Sequence, residues 1–345
     1  MTVPQNPLTV VKLLWCGQGQ LGLVEIYNDG IEKKDADFLA LINCGGETKY
    51  AQESLDYITA KVEARHRKLL NLVVFTAMDE GSTNLLDELA GRLTPLDARM
   101  TACFVTGSDW EGKGPEAVKG FVGSLNFSLD SVEFAGARQS DYLGTGTAPT
   151  WIAEHNGTYV RILATDDGPT VMTTVLVVEN GIFCVVLPGR LSLSMMRAIS
   201  AIPELKTRLP GNRALLLPNR SALESLVTDY RMDPTGGNAD RMKVVEDFAA
   251  AVSPTGICVS AGVSSGSPVA QVLEKFTADL AEGVEHTYVC YDLPDAANIF
   301  GEWQTRTTTK AIRTTLRTYG AQQQTTFGQI RISSRLRSVL TDSEQ

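Results

Sequence analysis

Leu70–Leu86 reads LNLVVFTAMDEGSTNLL, and the first seven residues of this stretch decide how the rest of the chain is arranged. Leu70–Thr76 is a short apolar run, the pattern of a strand buried on both faces. Upstream, Tyr50–Leu70 changes period: Ala51, Leu55, Ile58 and Val62 share one face of a helix, with charged residues around the rest. Downstream, Leu85–Leu93 is helical again. A buried strand between two amphipathic helices is an α/β unit, so the strand must lie in a sheet with helices packed outside it.

Working outward, Leu8–Trp15, Leu21–Tyr27 and Phe38–Cys44 are strands separated by glycine and Asn-Asp-Gly turns. Met100–Gly107 is a further strand and Ala117–Leu125 a short helix. The loop-like Gly144–Pro149 comes near the midpoint, and the pattern then restarts. Strands are expected at Tyr159–Ala164, Thr173–Glu179, Phe183–Leu187, Ala214–Pro218 and Thr255–Ala261. Helices are expected at Ser194–Ile202, Ala239–Ala251 and Pro268–Ala281. His286–Tyr291 and Phe327–Ser333 are the last strands. Each half is strands followed by helices, which predicts an α/β four-layer αββα sandwich: two mixed sheets packed together with helices outside. No linker divides the chain, so one domain over 1–345 is expected, with halves at about 8–143 and 150–292 and an extension over about 293–345.

The 345 residues carry a net charge of −9, with 43% hydrophobic and 21% charged residues. That balance supports a true core. With a pI near 5.0 it argues against general nucleic-acid binding, which needs a basic face. The start of the chain lacks a signal-peptide pattern. Glu179, Asn180 and Gly181 interrupt the most apolar stretch, so no membrane span is expected. Cys16, Cys44, Cys103, Cys184, Cys258 and Cys290 are far apart in mostly apolar surroundings, the pattern of buried reduced thiols in a cytoplasmic protein.

Two motifs invite a different reading. Gly17–Gly22 matches G-x-G-x-x-G, but a dinucleotide site needs a helix immediately after it, and Leu23–Tyr27 continues as a strand. Gly262–Gly266 matches the nucleophile elbow G-x-S-x-G around Ser264. Only His286 follows it as a base, with Asp279 crowded against that histidine, so a flexible strand-to-helix turn is the simpler reading.

Leu13–Tyr27 (LLWCGQGQLGLVEIY), Leu39–Gly46 (LALINCGG) and Leu70–Leu86 together resemble the opening of metallo-β-lactamase-fold hydrolases. The nearest resemblance is to the soluble hydrolase domain of ComEC-type competence proteins, which serve DNA uptake. Thr174–Leu191, Ala214–Ser221 and Val252–Phe276 continue the family's order, so the likeness spans about residues 10–290. It implies the αββα fold and a pair of metal ions held by about five histidines and two carboxylates.

On this resemblance the motif centres are replaced. The T-H-x-H-x-D-H positions fall on Thr76 to Ser82, so Ala77, Asp79 and Ser82 stand where histidines are expected and Gly81 where an aspartate is. Arg190 takes the place of the bridging aspartate, Asn219 and Arg220 that of a histidine pair, and Ser267 that of a histidine before proline. Asn43 takes that of the D-x-G aspartate, and the remaining histidine falls near Ala164–Thr165. The chain has only 3 histidines, His66, His155 and His286, none near another in sequence. A guanidinium ~4 Å from a divalent ion is repelled by about 8 kcal/mol at an effective dielectric near 20, an upper bound for a side chain free to swing away.

The resemblance therefore implies a fold without its metal, cofactor or hydrolytic activity. Arg190 is expected to pair with Asp79 or Glu80 and tie the halves together. The expected role is a binding or scaffolding subunit whose partner is another protein, docked on loops such as Gly107–Gly114, Gly144–Pro149 and Met232–Asp240. Arg190 and Arg220 would alternatively hold an anion or nucleotide. The acid-free basic segment with Arg306, Lys310, Arg313, Arg317, Arg331, Arg335 and Arg337 would alternatively contact nucleic acid, though such a run is more often a solvated face. Residual chemistry through Asp79, Glu80 or Asp87, completed by a partner, is the last alternative.

Overall fold

The computed structural model describes residues 7–14, 16, 19–107, 110, 116–136, 140–143, 151–166, 172–180, 183–189, 191–216, 237–254, 256–261, 285–290, 327–333 and 339–341. Its first half runs β1 (Leu8–Leu14), β2 (Leu21–Tyr27), β3 (Phe38–Cys44), α1 (Thr48–Ala64), β4 (Leu69–Leu70), β5 (Leu72–Phe75), α2 (Glu80–Thr83), α3 (Leu86–Leu93), β6 (Arg99–Met100), β7 (Cys103–Val105), α4 (Glu116–Ser124) and β8 (Glu133–Phe134). The second runs β9 (Trp151–His155), β10 (Thr158–Asp166), β11 (Thr173–Glu179), β12 (Phe183–Leu187), α5 (Leu193–Ser200), α6 (Leu205–Arg208), β13 (Asn212–Leu216), α7 (Gly237–Val252), β14 (Gly256–Ala261), β15 (Glu285–Cys290), β16 (Phe327–Ser333) and β17 (Val339–Thr341).

Two large mixed sheets result, ordered β17-β16-β1-β2-β3-β5-β7-β8 and β15-β14-β13-β12-β11-β10-β9. Each joins an antiparallel group to a parallel one: β3, β5, β7 and β8 run parallel in the first sheet, and β12 to β15 in the second. Alternation along the strands sorts the side chains. Val24, Ile26, Ala40, Ile42 and Val74 of the first sheet meet Val160, Ile162, Leu176, Val178 and Val185 of the second in the central core. On the outer faces, α1, α3 and α4 cover the first sheet and α5, α6 and α7 the second. This is the four-layer αββα sandwich expected.

Several boundaries differ from expectation for local reasons. The expected run Leu70–Thr76 splits into β4 and β5, because Asn71 leaves the strand to bond elsewhere: its side chain accepts from the Leu39 N–H at 3.0 Å. The expected Met100–Gly107 strand likewise breaks into β6 and β7, and the short pair β4–β6 forms a separate small sheet. β9 had no expectation; it is an edge strand paired only to β10 among the described residues. Gly237 and Asn238, expected in the loop before the Ala239–Ala251 helix, are already helical in α7. The helix expected at Pro268–Ala281 lies outside the described residues. The C-terminal extension is integral to the first sheet: β16 pairs with β1 over its whole length, from Leu8↔Ser333 to Leu14↔Phe327.

Candidate functional site

The loops that follow β3 and β5 leave the same end of the first sheet and meet the start of β2 there. They are packed backbone against backbone. A Cβ on Gly19 would lie 2.3 Å from the Gly45 carbonyl oxygen, and one on Gly45 would lie 2.2 Å from that of Gly81. No side chain fits such gaps, so glycine is required at both positions for contact rather than for φ. Hydrogen bonds follow the stack. The Gln20 N–H donates to the Gly81 carbonyl at 3.0 Å, and the Gly45 N–H donates to that of Gln20 at 3.0 Å. Asn84 locks the β3 loop further by accepting from the Gly46 N–H and donating to its carbonyl, both at 2.7 Å.

Asn43 sits at the centre with φ +58°, a conformation asparagine tolerates better than most residues. Its Oδ1 accepts from the Thr76 N–H at 2.8 Å, which fixes the amide orientation. Its Nδ2 then donates to Gln20 Oε1 at 2.8 Å and to Thr76 Oγ1 at 2.7 Å. The network continues into the second sheet. The Thr174 N–H donates to the Thr76 carbonyl at 2.8 Å, and Ala77 forms an antiparallel bridge with Thr173. Thr106 Oγ1 donates to Thr174 Oγ1 at 2.8 Å, and Thr165 Oγ1 lies 3.4 Å from the same oxygen. The two sheets are therefore joined here by neutral, buried amide and hydroxyl groups.

A cavity of about 30 Å³ remains beside this junction, lined in part by Gln20, Asn43, Thr76, Leu187, Gly189 and Leu216. It has room for about one or two waters. Gly189, at φ +60°, closes its far side, where an added Cβ would lie 3.0 Å from Thr76 Oγ1.

Of the positions that the sequence singled out, Ala77 and Ser82 are buried, Asp79 is half-buried at the start of α2, and Glu80 and Asp87 are exposed. Gly81 contributes backbone only. Arg190, Asn219, Arg220 and Ser267 lie outside the described residues, as do Ser264, Asp279, Arg306, Lys310, Arg313, Arg317, Arg335 and Arg337. The expected Arg190 pair with Asp79 or Glu80 falls there too. Arg331 stands in β16, opposite Val10 on one side and Leu340 on the other. The G-x-G-x-x-G segment leads into β2 and not into a helix.

The histidines are scattered. His66 is exposed in the turn after α1, and the backbone of His286 lies in β15. His155 on β9 stacks on Phe38 at 5.2 Å between ring centroids, with Nε2 3.1 Å from Asn28 Oδ1. Cys16, Cys44, Cys103 and Cys184 are buried, and burial pushes the Cys103 pKa up to about 12. Among the described residues no three His, Cys, Asp or Glu side chains converge on a point where a metal ion would sit.

Gln20 and the threonines 106, 173 and 174 are the site residues that sequence reasoning missed. Thr106 and Thr174 are 68 positions apart, and nothing local marks them as a pair. Thr76, Asn43 and Thr165 had a signal, as the opening threonine of the altered motif, the D-x-G position and the neighbourhood of the remaining histidine.

No family model matches the chain, and no curated protein matches it. Solved structures do. The metallo-beta-lactamase fold protein YhfI from Bacillus subtilis is 10% identical with a TM-score of 0.46, over 82% of this chain and 97% of that one. A long form RNase Z from yeast is 8% identical with a TM-score of 0.38, over 75% of this chain and 37% of that one. A diphosphatase of the PhnP family is 11% identical with a TM-score of 0.33, over 89% of this chain and 94% of that one. The chemistry of those proteins is theirs.

Proposed function

We propose that this chain is a metallo-β-lactamase-fold protein without the fold's metal centre, related most nearly to ComEC-type hydrolase domains, and that it serves as a protein-binding or scaffolding subunit. The observation that carries this reading is Ala77, buried and bridged to Thr173 at a position where the resembled family places a metal-binding histidine. Beside it, Asn43 ties the loops together as a neutral amide, with both hydrogens of its nitrogen given to Gln20 Oε1 and Thr76 Oγ1. An aspartate has no hydrogen to give either oxygen.

Among the described residues the donor set does not fit a pair of metal ions. Ala77 and Gly81 have no ligating side-chain atom, and the Ala77 backbone is held in a bridge to Thr173. The space left beside Asn43 suits water, and the neutral ties from Thr76 to Thr174 do the joining that shared metal ligands would otherwise do. A two-sheet body without the fold's chemistry still presents large surfaces, which supports a binding role; most of the expected docking loops, Gly107–Gly114, Gly144–Pro149 and Met232–Asp240, lies outside the described residues.

Two measurements test the proposal. Protein loaded with zinc or manganese is assayed on lactam, thioester and phosphodiester substrates; the expected result is no turnover above buffer, and turnover that scales with metal would overturn the inactive reading. Gentle purification from the native host is expected to retain a second protein in fixed ratio. A lone chain at every salt concentration would sink the scaffolding role.

A further inference from the structure

Asn156 and Gly157 form the turn between β9 and β10, at φ +47° and +78°, flanked by the paired His155 and Thr158. Positive φ at both central positions is the mark of a type I′ hairpin turn, and Asn-Gly is its favoured pair. Both residues are exposed. A Cβ placed on Gly157 would meet nothing within 4 Å, so the backbone there is uncrowded and open to water.

The partner of the Gly157 N–H is a side chain. It donates to Glu154 Oε1 at 2.9 Å. A carbonyl in that place could only accept the hydrogen bond, whereas a carboxylate can also take the proton. The Asn156 side chain is held on its other flank: Nδ2 donates to Asn28 Oδ1 at 3.2 Å, and His155 Nε2 lies 3.1 Å from the same oxygen. An amide side chain, the following backbone nitrogen and a carboxylate base therefore share one exposed turn.

We propose that Asn156 is a self-modifying site, deamidated by its own turn. Glu154 takes the proton of the Gly157 nitrogen, which attacks the Asn156 side-chain carbonyl carbon. The new N–Cγ bond closes a cyclic imide as the Cγ–Nδ2 bond breaks. The proton passes from Glu154 to the departing nitrogen, which leaves as ammonia. Water then opens the imide, at the side-chain carbonyl to give aspartate or at the backbone carbonyl to give isoaspartate. Nothing is oxidised or reduced, and water is the only co-reactant. Either product adds a negative charge beside Glu154 and has no amide hydrogen for Asn28 Oδ1. Isoaspartate also routes the backbone through the side-chain carbon, which a two-residue turn cannot absorb unchanged. The modification thus loosens one tie between this hairpin and the first sheet.

The sequence supplies an internal reference, a second Asn-Gly pair at Asn180 and Gly181. Trypsin separates the two by cutting after Arg138, Arg161 and Arg190. The full chain is aged at neutral pH, digested at intervals and read by mass spectrometry. Aspartate and isoaspartate are both expected to accumulate at position 156. Glu154→Gln keeps an acceptor oxygen for the Gly157 N–H and loses the base. It is expected to slow the loss of Asn156 at least about ten-fold and to leave the Asn180 rate unchanged. An unaltered chain that keeps Asn156, or a Glu154→Gln variant that loses it as fast or faster, would overturn the proposal. Equal slowing at Asn180 would remove Glu154 as the base, and aspartate without isoaspartate would rule out the cyclic step.

Discussion

Asn43 and the glycines around it make predictions at the scale of single residues. Asn43→Asp restores the residue the resembled family places there, yet it removes two donated hydrogen bonds and buries a charge facing Gln20 Oε1. It is expected to lower stability by about 2–4 kcal/mol in urea unfolding, with no gain in zinc affinity. Gly45→Ala drives a Cβ to 2.2 Å from the Gly81 carbonyl oxygen, a backbone clash that no rotamer relieves. A loss of about 3 kcal/mol or more is expected. Acid sensitivity has its own residue-level source. Burial alone would raise the Glu25 pKa, but Lys12, Lys61 and the Tyr27 and Tyr57 hydroxyls outweigh it and hold the carboxyl below its usual range. A carboxylate with a lowered folded pKa gives stability that is full above its unfolded value and lost as pH falls through the folded one. Burial also lowers the His155 pKa, against Asp37 and Glu154, so the unfolded chain takes that proton first. Both act in one direction. Urea midpoints are therefore expected to fall from about pH 7 downward, and Glu25→Gln is expected to flatten the part below about pH 4.5.

Among the elements, legibility followed the local pattern. β2, β3, β11, β12 and β16 have the limits expected, because each is an apolar or alternating run bounded by turn residues. β9 was missed because Trp151–His155 is short and partly exposed and has no clear period. The break at Asn71 was illegible for a different reason: its cause is an amide bonded to a neighbouring strand. Helix interiors offer a contrast to the glycine stack. A Cβ on Gly91 in α3 meets nothing within 4 Å, so Gly91→Ala is expected to stabilise by about 0.5–1 kcal/mol. Arg213 on β13 is the reverse case, a guanidinium spent on backbone carbonyls at the ends of two helices. It donates to the Pro210 oxygen at 2.8 Å, to Ser253 at 3.1 Å and to Lys206 at 2.5 Å. Arg213→Met is expected to cost about 2–3 kcal/mol by leaving those oxygens unmet in a buried place.

At the scale of the molecule, the layer order could be anticipated because each half repeats strands and then helices. What joins the halves could not. The Thr76–Thr174 and Ala77–Thr173 ties unite segments about a hundred residues apart through small neutral groups that have no sequence signature. The role of the last strands was also invisible, since nothing in Phe327–Ser333 says that it lines up against β1. A chain ending at Cys290 would leave that edge of β1 bare, and size-exclusion chromatography is expected to show aggregates in place of a single species. The account rests most heavily on the absence of a metal centre where Asn43, Thr76 and Ala77 now hold the sheets together. Inductively coupled plasma mass spectrometry on protein purified without chelator tests it directly. Less than about a tenth of a metal ion per chain is predicted. One or two zinc, manganese or iron ions per chain would contradict it and make the protein a hydrolase to be assayed.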